Sequence, residues 1–176
     1  MHTRTHKIFL LAFVLPLAAL SSCTKNGPLV WTDDYPAAVQ QAQAAGKNVL
    51  LNFTGSDWCV NCFRLDDEVF SKPEFADYAR SHYVLVTLDF PIKKELPEKT
   101  TKQNLDLQAK YAVINIPTLI LLDAHEKQLA FVQGYRGEGV AGLLDELNDP
   151  AHHPIKAATS DAAPAPAAAT ASSTAK

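Results

Sequence analysis

The fold of this chain is decided by residues 53–63, which read Phe-Thr-Gly-Ser-Asp-Trp-Cys-Val-Asn-Cys-Phe. The stretch follows an apolar run and holds Cys59 and Cys62, two of the three cysteines in the chain. Cysteines at this spacing let one thiolate attack a disulfide while the second thiol resolves the mixed disulfide. A helix that begins at the first cysteine lowers the pKa of its thiol, because a helix N-terminus favours negative charge. The stretch therefore predicts a dithiol redox site.

Two other uses of this cysteine pair are open. A purely structural disulfide between them would close so short a loop that it restrains the unfolded chain little. A structural zinc needs four ligands, and the chain has no second cysteine pair. Lone histidines on surface segments are more often solvated than ligating, and the ones that could contribute are His82, His125, His152 and His153. We expect no metal and no cofactor beyond a redox-active disulfide.

Helix-like and strand-like periods alternate through the middle of the chain. Apolar residues at helical spacing alternate with short, nearly continuous apolar runs that suit buried strands. The predicted elements are a helix over 33–46, a strand over 49–53, a helix from Cys59, a short helix over 73–80, a strand over 83–90, a helix over 105–112, a strand over 113–123 interrupted by Pro117, a strand over 128–135 and a helix over 140–147.

This order of elements and two motifs resemble the thioredoxin family. Trp-Cys-x-x-Cys at residues 58–62 matches its active-site motif, and Ile-Pro-Thr at residues 116–118 matches its cis-proline segment. The resemblance implies an α/β single domain with a central mixed β-sheet flanked by helices. Residues 56–62, followed by 68–70, are more similar to exported thioredoxin-like domains, including the C-terminal domain of the transmembrane thiol reductant transporter DsbD.

The resemblance also implies roles for the site residues. Cys59 is expected to be the exposed nucleophile and Cys62 the resolving thiol. Trp58 is expected to pack beside the dithiol, and Pro117 to be cis and to face it. The main chain of Ile116 is expected to pair with an extended segment of a substrate, which is a form of β-augmentation. Trp58 and Ile116 are also compatible with ordinary core positions.

One position departs from the family pattern. Asn52 stands where thioredoxin has a buried Asp that moves the proton of the resolving cysteine, and an amide cannot take up that proton. Water or a nearby carboxylate then takes up this proton, with Asp57 and Glu68 as the candidate carboxylates, or thiol–disulfide exchange is slower. The alternative interpretation makes Asp57 a helix-capping acid and places Glu68, with Asp66 and Asp67, on a solvated helix face.

A charged segment over residues 91–104 follows the second predicted strand. It contains four lysines, at 93, 94, 99 and 102, and glutamates at 95 and 98. A functional interpretation makes it a loop that docks a partner, and a structural one makes it a solvated connection between elements.

The first 22 residues have the pattern of an export signal. A basic start precedes an apolar run over residues 8–20, which is too short to span a bilayer stably. The run ends in Leu-Ser-Ser before Cys23 and resembles the bacterial lipobox, in which the cysteine becomes the lipidated first residue. Ordinary cleavage that leaves Cys23 as a free thiol is the alternative. Thr24 replaces the Asp that retains many lipoproteins at the inner membrane, which favours the outer membrane.

The remaining ranges complete the predicted organisation. We expect a lipoprotein signal peptide over 1–22, a tether over 23–30 and a thioredoxin-like domain over 31–149. Residues 150–176, rich in Ala, Pro, Thr and Ser, are expected to form a disordered tail, because residues 157–176 offer no large apolar side chains to a core.

These features predict a membrane-tethered, periplasm-facing thiol–disulfide oxidoreductase that reduces protein disulfides in the cell envelope. Its expected partners are protein thiols and disulfides, a membrane electron donor, and the membrane through a lipid on Cys23. Potentials in this fold run from about −270 to about −120 mV, so an oxidase or isomerase is the alternative, as is a non-catalytic module that binds protein or metal. The net charge of −3 gives no case for nucleic acid.

Overall fold

The computed structural model describes residues 28–149. The predicted signal peptide, the lipidation site Cys23, the tether up to residue 27 and the tail over 150–176 lie outside the described residues. None of the helices within 28–149 combines the length and the apolar character needed to cross a membrane.

Five strands and five α-helices, with one π-helical segment, make up the described part of the chain. They are β1 (Trp31–Thr32), α1 (Tyr35–Ala45), β2 (Asn48–Thr54), α2 (Val60–Leu65), the π-helical segment (Asp66–Phe70), α3 (Pro73–His82), β3 (Tyr83–Asp89), α4 (Glu98–Lys110), β4 (Thr118–Leu122), β5 (Gln128–Gln133) and α5 (Gly139–Asn148).

The strands form one mixed sheet in the order β1-β3-β2-β4-β5. Strand β2 lies at its centre, parallel to β3 and antiparallel to β4. In this register Asn52 pairs with Thr87 on one side and with Leu119 on the other. The mixed sheet is the one that the resemblance to thioredoxin implies.

Helices cover both faces of the sheet. Successive strand side chains point to opposite faces, so Leu50 and Leu51 enter different cores. Leu50 packs with residues of α2, the π-helical segment, α3 and α5. Leu51 packs with residues of α1 and α4. Asn52 is two residues after Leu50 and therefore lies on the face that α2 covers.

Helix α1 has the boundaries that its sequence predicts. The Asp34 side chain accepts a hydrogen bond from the Ala37 backbone N–H at 3.1 Å, and Pro36 occupies the first turn, where no hydrogen-bond donor is needed. Gly46 ends the helix with a φ of 62°, a left-handed conformation that glycine adopts without steric cost.

Helix α4 differs from the prediction. It begins at Glu98, whereas the sequence placed the start at Leu105 and treated residues 91–104 as a connection. The buried side chains of this helix are Asn104 and Leu107, so it shows little apolar periodicity. A mostly solvated helix gives no strong 3.6-residue pattern, so its first two turns leave no helical signal in the sequence.

Two strands also differ from the prediction. Strand β4 begins at Thr118 and not at Val113. The residues before it form a turn in which the Thr118 hydroxyl donates to the Asn115 carbonyl at 2.6 Å, next to the cis bond before Pro117. Strand β1 was not predicted, because two residues are too few to show a period.

Candidate active site

The dithiol lies just beyond the carboxyl end of the central strand. Strand β2 ends at Thr54, and the loop after it brings Cys59 to the N-cap position of α2. The Cys59 backbone N–H donates to the Gly55 carbonyl at 3.0 Å, which fixes the entry of the helix. Cys59 and Cys62 form a disulfide with an S–S distance of 2.09 Å.

The first turn of α2 places a backbone donor on the Cys59 sulfur. The Cys62 N–H donates to Cys59 Sγ at 3.2 Å, and the helical backbone continues without a break from α2 through the π-helical segment. The unpaired N–H groups of a helix start favour negative charge. Once the disulfide is reduced, this arrangement stabilises a thiolate on Cys59.

The two cysteines are equally buried, contrary to the expectation of an exposed nucleophile. The exposed fraction is 5% for Cys59 and 6% for Cys62. The Cys59 sulfur is bonded to Cys62 and lies against the first helical turn, which removes most of its surface in the disulfide form.

Trp58 is a surface residue with a fixed indole. Its side chain is partly exposed, and its Nε1–H donates to the Phe90 carbonyl at 2.8 Å. The ring lies over Gly55 so closely that a Cβ on that residue would be 2.6 Å from Trp58 Cε2. Trp58 is therefore next to the dithiol in sequence and held in place there, and it is not a core residue.

The peptide bond between Ile116 and Pro117 is cis, as the resemblance implied. Pairing of Phe53 with Thr118 sets Pro117 beside the end of β2, at the sheet edge from which the dithiol loop departs. The Pro117 carbonyl accepts from the Gly134 N–H at 2.8 Å. Within residues 28–149, no hydrogen bond uses the backbone of Ile116, which leaves it available to a substrate strand.

Asp57 binds the loop that follows β3. Its carboxylate accepts from the backbone N–H of Ile92 at 2.9 Å and from that of Lys93 at 2.8 Å. The hydrogen bond from Ile92, with that from Lys93, holds the pKa of Asp57 below its usual value. The interpretation of Asp57 as a helix-capping acid is wrong, because Cys59 occupies the N-cap of α2. Its proposed part in proton transfer stays a prediction.

Glu68 is held by residues of another element. The Tyr135 hydroxyl donates to Glu68 Oε2 at 2.7 Å, and Arg64 forms an ion pair with Glu68 at 3.2 Å. The hydrogen bond from Tyr135, aided by Arg64, lowers the pKa of Glu68. The Tyr135 hydroxyl in turn accepts from the Gly139 N–H at 3.3 Å. Glu68 thus joins the helix to the loop between β5 and α5. Its part in proton transfer stays a prediction.

A cleft of about 300 Å³ lies behind Cys62. Asn52 and Asp66 lie on its walls, and neither Asp57 nor Glu68 does; the lining residues are Trp31, Asn52, Thr54, Ser56, Cys62, Phe63, Asp66, Phe70 and Thr87. The sequence analysis did not single out Asp66 as a site residue. The signal that could have found it is its position four residues after Cys62, on the same helix face.

No group of three or more His, Cys, Asp or Glu side chains that could hold a metal occurs in the part of the chain described by the structure. The redox group at the site is the disulfide itself.

Comparison with known proteins assigns the family. A family model described as thioredoxin-like matches residues 30–124. The chain therefore belongs to the thioredoxin-like family. The chain is 37% identical over 113 residues to the disulfide bond reductase DsbH of Chlamydia pneumoniae, covering 64% of this chain and 68% of that protein. It is 29% identical to the thioredoxin-related protein DsbJ of the same organism, over 78% of this chain but 40% of DsbJ.

Solved structures agree with this assignment. A DsbH oxidoreductase matches with a TM-score of 0.63 and 33% identity, covering 80% of this chain and 92% of that one. A thioredoxin from Thermus thermophilus matches with a TM-score of 0.53 and 22% identity, over 69% of this chain and 85% of that chain, and bears on the fold alone. The predicted thioredoxin fold is confirmed, and the chain is a thiol–disulfide oxidoreductase.

Replacing Tyr135 by Phe is expected to raise the pKa of Glu68 towards its ordinary value, because the strongest hydrogen bond to the carboxylate is lost. The depressed pKa of Glu68 gives stability that is present above its unfolded-state pKa of about 4.3 and lost as the pH falls. The wild type should therefore lose more stability on acidification than Tyr135→Phe does.

NMR titration of the Glu68 side chain measures the pKa, and urea unfolding between pH 6 and pH 3 measures the stability. Tyr83→Phe is the matched control, because the Tyr83 hydroxyl donates to Asn148 and not to Glu68. An unchanged Glu68 titration in Tyr135→Phe would contradict the assignment of the shift to this hydrogen bond.

Proposed function

We propose that this protein reduces disulfides of other proteins in the cell envelope through Cys59 and Cys62. The observation that carries the proposal is the Cys59 sulfur at the N-cap of α2, where the Cys62 N–H donates to it at 3.2 Å. The named activity of DsbH, a disulfide bond reductase, supports the direction of the reaction.

The reaction proceeds in two exchanges. The Cys59 thiolate attacks one sulfur of a substrate disulfide, the substrate S–S bond breaks, and the other substrate sulfur leaves with the electron pair and takes a proton. Cys62 then loses its proton and attacks Cys59 Sγ, which forms the Cys59–Cys62 disulfide and releases the second substrate thiol. The substrate gains two electrons and two protons, and a dithiol of a membrane electron donor returns them to the protein.

The charges beside the dithiol support a reductase. A strongly oxidising site of this fold depends on a stabilised reduced, thiolate form. The cleft next to Cys62 has Asp66 on its wall and no Lys, Arg or His among its lining residues. A carboxylate near a thiol disfavours the thiolate, and the dipeptide Val60–Asn61 adds no positive charge. Such surroundings favour the disulfide form and make the reduced protein an electron donor.

The substrate is an extended protein segment that lies across the cis-proline loop. The backbone of Ile116 forms no hydrogen bond within residues 28–149, and it stands at the sheet edge from which the dithiol loop departs. Trp58 and Val60 flank Cys59 in the sequence and Ile114 lies two residues before Ile116, and these exposed side chains offer apolar contact to a substrate. Main-chain pairing of this kind suits locally unfolded substrates of varied sequence.

The envelope location rests on the sequence and on the relatives. Residues 1–22 act as the signal peptide, a lipid on Cys23 tethers the domain, and the domain faces the periplasm, with the outer membrane favoured. Residues 24–30 complete the tether that starts at Cys23, and the tail over 150–176 follows the domain. The Dsb names of the relatives fit a role in envelope disulfide chemistry.

Cys59→Ser is expected to abolish the reduction of insulin disulfides by dithiothreitol, measured as turbidity, because the attacking sulfur is lost. Cys62→Ser is expected to accumulate a mixed disulfide with the substrate, seen on non-reducing gels, because the resolving sulfur is lost. Both variants are made in a Cys23→Ala chain, so that Cys23 cannot form the adduct. Cys59→Ser/Cys62→Ser is the control and should trap nothing; full insulin reduction by Cys59→Ser would refute the proposal.

The reduction potential of the Cys59–Cys62 couple is expected to lie nearer to −270 than to −120 mV, the approximate limits for this fold. Equilibration with glutathione or dithiothreitol buffers, followed by thiol alkylation and mass measurement, gives the value. A potential near the upper limit would instead support a disulfide oxidase.

Cys23→Ala is expected to remove a fatty-acid label from the protein. Cells that express the full chain are grown with an alkyne-bearing fatty acid, and the label is read on gels after coupling to a dye. Cys59→Ser is the matched control and should keep its label, since it also removes one cysteine but leaves the lipobox intact. Label that persists in Cys23→Ala would contradict lipidation at this residue.

A further inference from the structure

The second exchange needs a group that takes the proton of Cys62. This thiol attacks as a thiolate. Cys62 has an exposed fraction of 6% and is one of the residues that line the cleft behind the disulfide. The nearest candidate on β2, Asn52, is an amide and cannot accept a proton. The two acids expected from the sequence have other partners, since Asp57 binds the Ile92 and Lys93 N–H groups and Glu68 binds Tyr135.

Asp66 is the acid that shares the cleft with Cys62. It follows Cys62 by four residues, and its backbone N–H donates to the Cys62 carbonyl. Residues four apart lie on one face of a helix, and each side chain leans over the preceding turn. The Asp66 carboxylate therefore lies over the turn that carries Cys62, and both residues contribute to the lining of the cleft.

The cleft is built to hold water between these two groups. Its volume of about 300 Å³ exceeds what one water molecule needs, and its walls include the hydroxyls of Thr54, Ser56 and Thr87. Asn52 is buried, with an exposed fraction of 8%, and its Oδ1 atom has no hydrogen-bond partner within residues 28–149. A buried amide oxygen of this kind is normally satisfied by an ordered water molecule.

We infer that Asp66 is the proton acceptor for Cys62, acting through water held by the Asn52 side chain. In the mixed disulfide, the Cys62 proton passes through this water to the Asp66 carboxylate as Cys62 Sγ forms its bond to Cys59 Sγ. The bond from Cys59 Sγ to the substrate sulfur breaks, and the substrate leaves as a thiolate with the electron pair. Asp66 then gives its proton to solvent or to the leaving thiolate. The inference rests on the exchange reaction of the proposed function.

Few other charges face the cleft. Among its lining residues, Cys62 and Asp66 are the titratable ones. From the β3 side, Asp89 accepts two hydrogen bonds from Ser56 and pairs with Lys94. On the helix itself, Asp66 and Asp67 are both exposed, but Asp66 lines the cleft and Asp67 does not, and the Arg64–Glu68 pair is bonded towards Tyr135. Asp66 is therefore the acid whose removal should affect Cys62 selectively.

The test separates the two exchanges in a single turnover. Reduced protein carrying Cys23→Ala is mixed with a disulfide-bridged peptide, quenched in acid and weighed by mass spectrometry, which resolves the mixed disulfide from the released peptide. Asp66→Asn should slow release about tenfold or more at pH 7, as expected for loss of a general base. Formation of the mixed disulfide, measured in a Cys62→Ser background, should change less than about twofold, because Asp66 does not serve Cys59 in this step.

The pH profile distinguishes a proton acceptor from a structural residue. In Asp66→Asn, release should rise about tenfold per pH unit up to the thiol pKa, because only the Cys62 thiolate fraction reacts, whereas wild-type release should be flatter. Asp67→Asn, with the same change of charge one residue away, should behave as wild type. Asp66→Glu should keep most of the wild-type rate of release. Adding Asn52→Asp to the Asp66→Asn variant should restore release, because the second substitution places an acid on another wall of the same cleft.

The outcomes separate this inference from the proposed function. Asp66→Asn that releases peptide at the wild-type rate with the wild-type pH profile would overturn the inference and leave the reductase intact. An equal slowing in Asp67→Asn would also overturn it, since the effect would then be one of general charge. A wild type that forms no mixed disulfide would refute the proposed function instead. If urea unfolding shows that Asp66→Asn is not folded, Asp66→Ser is used with the same expectations.

Discussion

The position of the dithiol depends on one buried strand. Strand β2 is hydrogen-bonded to a neighbour on each side and covered by helices on both faces, so it cannot shift in register without moving apolar side chains out of both cores. Its carboxyl end is thereby fixed, and only four residues separate Thr54 from Cys59. The same register brings the cis-proline loop on β4 to that end. The central strand thus sets where the dithiol and the cis-proline loop meet.

Two opposing electrostatic effects act on the dithiol. The start of α2 favours a thiolate on Cys59, which supports the proposal that this residue is the attacking sulfur. The Asp66 side chain shares a cleft with Cys62, and a carboxylate near a thiol disfavours the thiolate. The difference between the two cysteines therefore comes from their electrostatic surroundings, because their exposed fractions of 5% and 6% are nearly equal.

The sequence was sufficient to predict the elements whose burial is strong. Strands β2 and β3 are covered on both faces and were visible as apolar runs, and α1 had clear start and stop residues. The beginning of α4 and the short strand β1 were missed, because a solvated helix and a two-residue strand leave no period in the sequence. The dithiol was predicted from the spacing of the two cysteines, whereas the cis bond before Pro117 was expected through the family resemblance, since composition alone favours a trans bond.

The acids show why the site was harder to predict than the fold. The spacing of four positions from Cys62 to Asp66 places both on one helix face, and this much is present in the sequence. The cleft that joins them to Asn52 exists only because β2, β3 and the helix pack at a particular distance, which no local pattern encodes. Similarly, nothing near Glu68 in sequence indicates Tyr135 as its partner.

The end of β3 and the loop after it are joined to the dithiol loop by three kinds of contact. Asp57 accepts from the N–H groups of Ile92 and Lys93, Trp58 donates to the Phe90 carbonyl, and Ser56 donates to Asp89, the last residue of β3. Although partial burial acts in the opposite direction, the bonds from Ser56 hold the pKa of Asp89 below its usual value, so this anchor keeps its charge in mildly acidic surroundings. The two loops consequently form one cooperative unit in local unfolding. Local unfolding that exposes the amide hydrogens of one loop to exchange with solvent also exposes those of the other, although the loops lie more than thirty residues apart in the chain.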